Sequence, residues 1–287
     1  MELLFQQLLN GLTIGSVYSL VALGLTLVFG ILHVPNFAHG AFYMIGAYFT
    51  LTFMTHAGMN YWVAMFVSVV LVAIIGVLCE RLIFHKLGTL NPMRVMVAAI
   101  GVLLFFESFA HLAFGTEYQR MASPYDNIVT VFGLTVTVQR ILIIIAAVVL
   151  MVALHLFLTR TMIGASIIAM AQNREGAFLV GINSNQVAML TFAIAGGLAA
   201  AAASLASPIN LVFPTMGNLV IMKAFVIIII GGMGSIPGAI VGGFLLGLSE
   251  SLGATYISND YKDLIAFILL VIILTAKPTG LFSRGVH

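Results

Sequence analysis

Charge is scarce in this sequence. Asp, Glu, Lys and Arg make up only 7% of its 287 residues against 62% apolar, and mean hydropathy is +1.17. A water-soluble domain carries about 25% charged residues, so most of this chain's surface must face lipid or other apolar segments. Eleven basic residues against nine acidic ones leave a net charge of +2. The basic residues are scattered, with no aromatic-interleaved patch, which argues against a nucleic-acid partner. The single cysteine, Cys79, lies in an apolar run. No disulfide can form within the chain, and the thiol reads as a small core residue. The opening Met1-Glu2-Leu3-Leu4 lacks a basic stretch and the apolar run continues to about residue 32, so a first membrane segment is expected there rather than a cleaved signal. No Gly-x-x-x-x-Gly-Lys-Ser/Thr occurs, so no nucleotide phosphate loop is expected. There is also no Ser/His/Asp set, no His-Glu-x-x-His and no Cys cluster, and His111 and His155 have no partner at metal-ligand spacing. Neither catalysis, a bound cofactor nor a metal site is expected of this chain.

What is present is a series of apolar windows near the ~20 residues that span a bilayer. They fall at about 8–31, 37–55, 61–84, 95–115, 138–159 and 187–207, with shorter ones near 217–232, 237–254 and 261–277. The expected fold is an all-α polytopic membrane protein with about 8–10 transmembrane segments, some broken or re-entrant, forming one domain over 1–287. Arg81, Lys86, Arg94, Arg160, Arg174, Lys277 and Arg284 fall in alternate connections and at the end of the chain. The positive-inside rule makes those cytoplasmic and puts the turn at 56–60 and an external loop at 116–137 outside. In that loop the alternating run Ile128-Val129-Thr130-Val131-Phe132 predicts a short hairpin.

Two interruptions share a spacing: Gly30, Pro35 and Gly40 repeat as Gly232, Pro237 and Gly242. Matching Gly/Pro breaks in two halves point to the transport site of repeat-built transporters, although chance gives the same pattern. Around Pro35 a helix cannot run straight through. Asn36 and His39 are suited to partner the freed backbone groups, and the segment with Gly40 and Tyr43 reads either as a pathway-lining kink or as a plain capped turn. The second break, Gly231-Gly232-Met233-Gly234-Ser235-Ile236-Pro237 with Gly242 following, reads as close helix packing or a hinge.

The stretch at about 160–186 is too polar to span and too apolar for a solvated loop. Its periodicity predicts two short helical pieces joined by the polar turn Gln172-Asn173-Arg174-Glu175, with Gly181 as a stop. It reads as a docking surface for a cytoplasmic partner or as a helix on the membrane. Glu107 and Glu250 are expected near the outer ends of their segments as paired or snorkelling groups, and Lys223 as a snorkelling one.

Several segments together resemble the permease subunits of bacterial branched-chain amino acid ABC transporters, specifically the H-type partner of the H/M pair, over nearly the whole chain. They are Asn36-Phe-Ala-His-Gly-Ala-Phe42, Gln172-Asn-Arg-Glu-Gly-Ala-Phe-Leu-Val-Gly-Ile182, Lys223-Ala-Phe225, Gly231 to Ala239 with Gly242-Gly243, Gly247 with Glu250-Ser251, and Pro278-Thr-Gly-Leu-Phe282. The chain departs from the family at Ala165 and Ile168, where basic residues are common. The resemblance implies half of a translocation pathway for branched-chain amino acids or a related small amphipathic solute in the bacterial inner membrane, in contact with lipid. The implied partners are a related M-type permease, two cytoplasmic ATPases that bind the ATP, and an outer substrate-binding protein. It also implies that Ala169, Gln172, Asn173, Arg174, Glu175, Gly176 and Gly181 belong to the segment coupling ATPase movement to the membrane. The rival expectation is an ion-coupled secondary transporter that cycles Glu107 or Glu250.

Overall fold

The computed structural model describes residues 2–87, 91–131 and 134–282. Each expected apolar window is a helix. In chain order these are α1 (Glu2–Leu32), α2 (Ala38–Thr55), α3 (Tyr61–Cys79) running through a π-helical turn (Glu80–Phe84) into α4 (His85–Leu87), and α5 (Pro92–Phe114). The hairpin β1 (Ile128–Val131) and β2 (Leu134–Thr137) follows, then α6 (Val138–Arg160), α7 (Met162–Gln172), α8 (Arg174–Leu179) and α9 (Ser184–Ala206). α10 (Met216–Gly231), α11 (Ile236–Tyr256) and α12 (Lys262–Ala276) complete the bundle. The hairpin is antiparallel with Ile128 opposite Thr137. Phe132 of the expected strand and the basic residue Arg284 lie outside the described residues.

Polar residues just before the apolar runs set the helix starts. Asn60, Asn91, Asn183 and Ser235 each place a side-chain oxygen on an N–H of the first turn of α3, α5, α9 and α11, satisfying a donor the helix itself leaves unpaired. Pro92 and Pro237 occupy first-turn positions, where a missing N–H costs nothing. Pro237 therefore starts a helix, and the second break itself is Gly232 to Ser235.

Among the described residues, six helical stretches are long and apolar enough to cross a membrane alone: α1, α3 with α4, α5, α6, α9 and α11. α10 and α12 have 16 and 15 residues, short of the ~20 needed to span upright. α1 and α9 are mostly buried, whereas α3, α5 and α6 bury under a third of their apolar windows. The first pair forms the centre and the second group faces lipid. The centre is built from small residues. Gly11 and Gly15 of α1 meet Leu248 and Phe244 of α11, Gly243 meets Ser19, Gly46 meets Ala200, and Gly76 meets Phe192. Without an oil–water difference between helices in lipid, such close approach supplies the dispersion contacts that hold them.

Helix ends sort to two poles. The hairpin pole collects Arg120, Arg140 and Lys262, and the opposite pole, labelled the coupling pole after the segment expected there, collects Arg81, Lys86, Arg94, Arg160, Arg174 and Lys277. α1 is about 46 Å long at 1.5 Å per residue. α2 does not start at its coupling end. His39 reaches Val21, and His39 also packs on Gly24. The chain between α1 and α2 thus turns back about 12 Å, eight residues of rise, to begin α2 beside the middle of α1. At the second break Gly232 and Gly234 have φ of 99° and 82°, a conformation open to glycine. Gly231 and Gly238 pack backbone to backbone across it. Leu281 and Phe282 donate their N–H groups to the Ile230 and Gly231 carbonyls at 2.8 and 3.0 Å, so the Pro278–Phe282 segment closes the end of α10.

Gly247→Leu would push a side chain into the backbone of Gly15 and Gly11, where no rotamer can yield. Overpacking costs about 1–3 kcal/mol where side chains adjust, and this seam lies at the top of that range. The variant is expected to lose most of its folded yield in detergent and to melt well below the parent, as read by thermal fluorescence-detected size exclusion; an unchanged melting curve contradicts the seam.

Candidate functional site

A cavity of about 680 Å³ opens within the hairpin-pole half of the bundle, in the range of small-molecule sites. Its walls come from the first half of α1, the second turn of α2, the starts of α6, α10 and α12, the end of α11 and the loop at 209–213. Ile14, Val17, Met216, Leu219 and Val220 give it an apolar lining.

Three polar side chains from three helices converge on it. Lys223 Nζ (α10) lies 2.9 Å from Glu250 Oε1 and 3.0 Å from Oε2 (α11). Tyr18 (α1) donates its hydroxyl hydrogen to Glu250 Oε2 at 2.9 Å and accepts from Lys223 Nζ at 2.9 Å. The Glu250 side chain is 5% exposed and that of Lys223 15%. Lys223 does not snorkel outward, because a nearby carboxylate compensates its charge better than a long reach to the surface. Nearer the mouth, Ser251 Oγ donates to the Gln7 carbonyl, Asn10 donates to Gln7 Oε1, and Arg140 donates to Asn10 Oδ1. This rim ties α11, α1 and α6 together. The loop at 209–213 carries Phe213, packed at a tilt against the Tyr118 ring, and Val212, bridged to Gln119, so the 116–137 segment braces the rim.

Of the expected pathway residues, Tyr43 lines this cavity. Asn36, His39 and Gly40 do not. All three are buried in the joint between α1, α2 and α10: His39 Nε2 donates to the Val21 carbonyl at 3.0 Å, Asn36 Oδ1 accepts from Ala38, and Gly40 abuts the Gly217 backbone. Asn36 thus serves a freed donor and His39 a carbonyl of a different helix. Gly231, Gly232, Gly234, Pro237 and Gly242 gather at the coupling-pole turn of α10 and α11, with Gly242 against Ile227; Pro35 is in the other turn. Glu107 accepts from Asn218 at 3.1 Å, a pairing apart from the cavity.

At the coupling pole, α7 and α8 are the two expected short helices. Their joint is tighter than the predicted four-residue turn. Asn173 alone separates them and its Oδ1 accepts from the Gly176 N–H at 2.9 Å, while Arg174 and Glu175 enter the first turn of α8. Glu175 there complements the positive end of the helix dipole. Gly181 stops the pair at φ 86°. Gln172, Asn173 and Glu175 are exposed, Arg174, Gly176 and Ala169 half-buried, and Ala171 touches Gly30 near the end of α1. A second hollow, about 520 Å³ between α3 and α5, is lined by apolar side chains and Cys79, with no group to orient a polar solute.

A bundle of apolar helices enclosing a charged cavity, with a short helix pair at the opposite pole, defines a membrane-embedded transport subunit. A family model described as "Branched-chain amino acid transport system / permease component" matches residues 7–274, and the chain belongs to that family. It is 36% identical to the high-affinity branched-chain amino acid transport system permease protein BraD of Pseudomonas aeruginosa, over 97% of this chain and 95% of BraD. It is 35% identical to LivH of Escherichia coli over the same shares. The E. coli permease protein LivM is 26% identical over 94% of this chain and 68% of LivM. Among solved structures, PsaBC from Streptococcus pneumoniae in complex with Fab superposes with a TM-score of 0.51 at 13% identity, covering 96% of this chain and 91% of that one, which speaks to fold alone. The family supports the permease reading over an ion-coupled carrier.

Sequence reasoning missed the Tyr18–Lys223–Glu250 cluster. Lys223 and Glu250 lie 27 residues apart on two helices, and only their shared occurrence in apolar runs signalled a mutual partner. Lys223→Met leaves a buried carboxylate uncompensated and is expected to cost about 3–5 kcal/mol. Lys223→Met with Glu250→Leu removes both charges and is expected to recover most of that loss in detergent melting curves; equal loss in both variants contradicts a compensated pair.

Proposed function

We propose that this chain is one permease subunit of an ATP-driven importer for branched-chain amino acids in a bacterial inner membrane. It pairs with a related M-type permease to enclose the pathway. Two cytoplasmic ATPases dock at the coupling pole, and an outer binding protein delivers substrate to the hairpin pole. Tyr43 faces the pathway, while Asn36, His39 and Gly40 hold the joint beside it. The observation that carries the reading is the α7–α8 pair. It exposes Phe178, Leu179 and Val180 at 70%, 84% and 77%, next to the polar Gln172–Glu175, at the pole with the basic residues. Three adjacent large apolar side chains exposed at the polar end of a bundle mark a protein contact. Movement of α7 would pass to α1 through Ala171 and Gly30 and along α1 to Tyr18 in the cavity.

The importer reading predicts leucine uptake into proteoliposomes that requires all subunits and enclosed ATP. Uptake by this chain alone under an ion gradient overturns it. For the docking surface, Phe178→Ser with Leu179→Ser is expected to lower ATPase co-purification about tenfold or more, the scale of losing an interface hot spot, while pairing with the partner permease persists. Full ATPase retention sinks the assignment of α7–α8.

A further inference from the structure

We propose that the Lys223–Glu250 ion pair is a zwitterion-exchange site: a passing amino acid inserts between the two side chains, its carboxylate taking Lys223 and its ammonium taking Glu250. This rests on the importer reading above and specifies how the permease itself recognises its cargo.

The geometry points there for four reasons. First, the pair lies on the cavity wall rather than in the packed seam, so a solute in the cavity reaches it. Second, both carboxylate oxygens of Glu250 face the one ammonium of Lys223, at 2.9 and 3.0 Å. A charge pair buried to this degree is held by mutual compensation, and a zwitterion offers the same compensation to each partner. Third, the swap conserves charge. A molecule with a single charge would satisfy one side chain and orphan the other. A site that pairs both groups of its substrate rejects an analogue lacking one, because a buried group is then left unpaired. Fourth, the apolar side chains Ile14, Val17, Leu219 and Val220 share the cavity, giving an aliphatic side chain an apolar surface while its charged end meets the pair.

The pair also joins the two helices that meet at the glycine turn. α10 and α11 are pinned at the coupling pole by the Gly231–Gly238 contact, and the Leu281 and Phe282 hydrogen bonds hold the end of α10. Toward the cavity Lys223 and Glu250 link them. A zwitterion between those side chains parts α10 from α11 at the open end and leaves the pinned end in place, with Gly232 and Gly234 taking up the bend. Tyr18, bonded to both members of the pair, carries the change to α1 and so toward α7. It is a positioning residue that holds the carboxylate while the ammonium is exchanged.

The test uses the complete reconstituted complex and two double variants that leave no orphan charge: Lys223→Glu with Glu250→Lys, which keeps a pair but reverses its polarity, and Lys223→Met with Glu250→Leu, which removes it. Co-purification with the partner permease and the melting temperature report folding. ATP-driven uptake of radiolabelled leucine, with binding protein saturated, reports exchange. Folded variants whose uptake rate falls at least tenfold below the parent's support the site. A folded variant of either kind transporting within about twofold of the parent overturns it and reduces the pair to a structural tie, with the importer reading intact. If the reversed pair fails to assemble, the neutral variant alone decides between those outcomes. Absence of ATP-dependent leucine uptake by the parent complex overturns the importer reading, and the exchange site with it.

Discussion

The backbone-to-backbone seam between α1 and α11 is the constraint on which the rest of the structure depends. Gly11, Gly15, Gly243 and Gly247 let the two helices approach to a distance any Cβ would prevent. In lipid, apolar side chains gain nothing by leaving the solvent, so shape and contact density hold helices together. Once the seam is closed, Ser19 reaches the Ile240 carbonyl and Ser251 the Gln7 carbonyl. The same alignment sets Tyr18 against Glu250 on the cavity wall. α1 thereby becomes a continuous rod, touching the α7 helix at one end and the charged cavity further along. A rod of this length can transmit displacement between poles in a way that a chain of separate contacts cannot, because its internal hydrogen bonds keep its length.

The charge pair shows how a membrane interior tolerates ions. A lone Lys or Glu in an apolar run is costly, yet the two on neighbouring helices cancel, with a tyrosine hydroxyl completing the set. The arrangement is polar without carrying net charge, which suits a path for molecules that are themselves zwitterionic. The contrast with the second hollow is informative: comparable in scale, it offers only apolar side chains and Cys79, and so has nothing with which to orient a charged end.

Much of the fold was legible in the sequence because its signals are local. Apolar windows became helices, the alternating run at 128–131 paired as a strand, and the 160–186 stretch folded into two short helices stopped at Gly181. The site was less legible. Asn36 and His39 drew attention as polar residues beside a proline, but Asn36 Oδ1 and His39 Nε2 are bonded within the α1–α2 joint. Their burial follows from α2 beginning beside the middle of α1, a long-range contact that the local pattern does not encode. Tyr43, one helical turn beyond His39, was placed on the pathway segment and does line the cavity.

By itself the sequence determined that this chain lives among lipid, where its helices start and stop, which loops carry positive charge, and, through its motifs, the permease family. These follow from composition and from interactions within a few residues. Only the tertiary structure decided which polar groups meet. Lys223 and Glu250 are partners because the glycine turn folds α10 back along α11, and Tyr18 joins them because glycines let α1 lie against α11. Helix-to-helix register depends on side-chain volumes summed along two surfaces, so the position of a charge on its own helix does not reveal what stands opposite it.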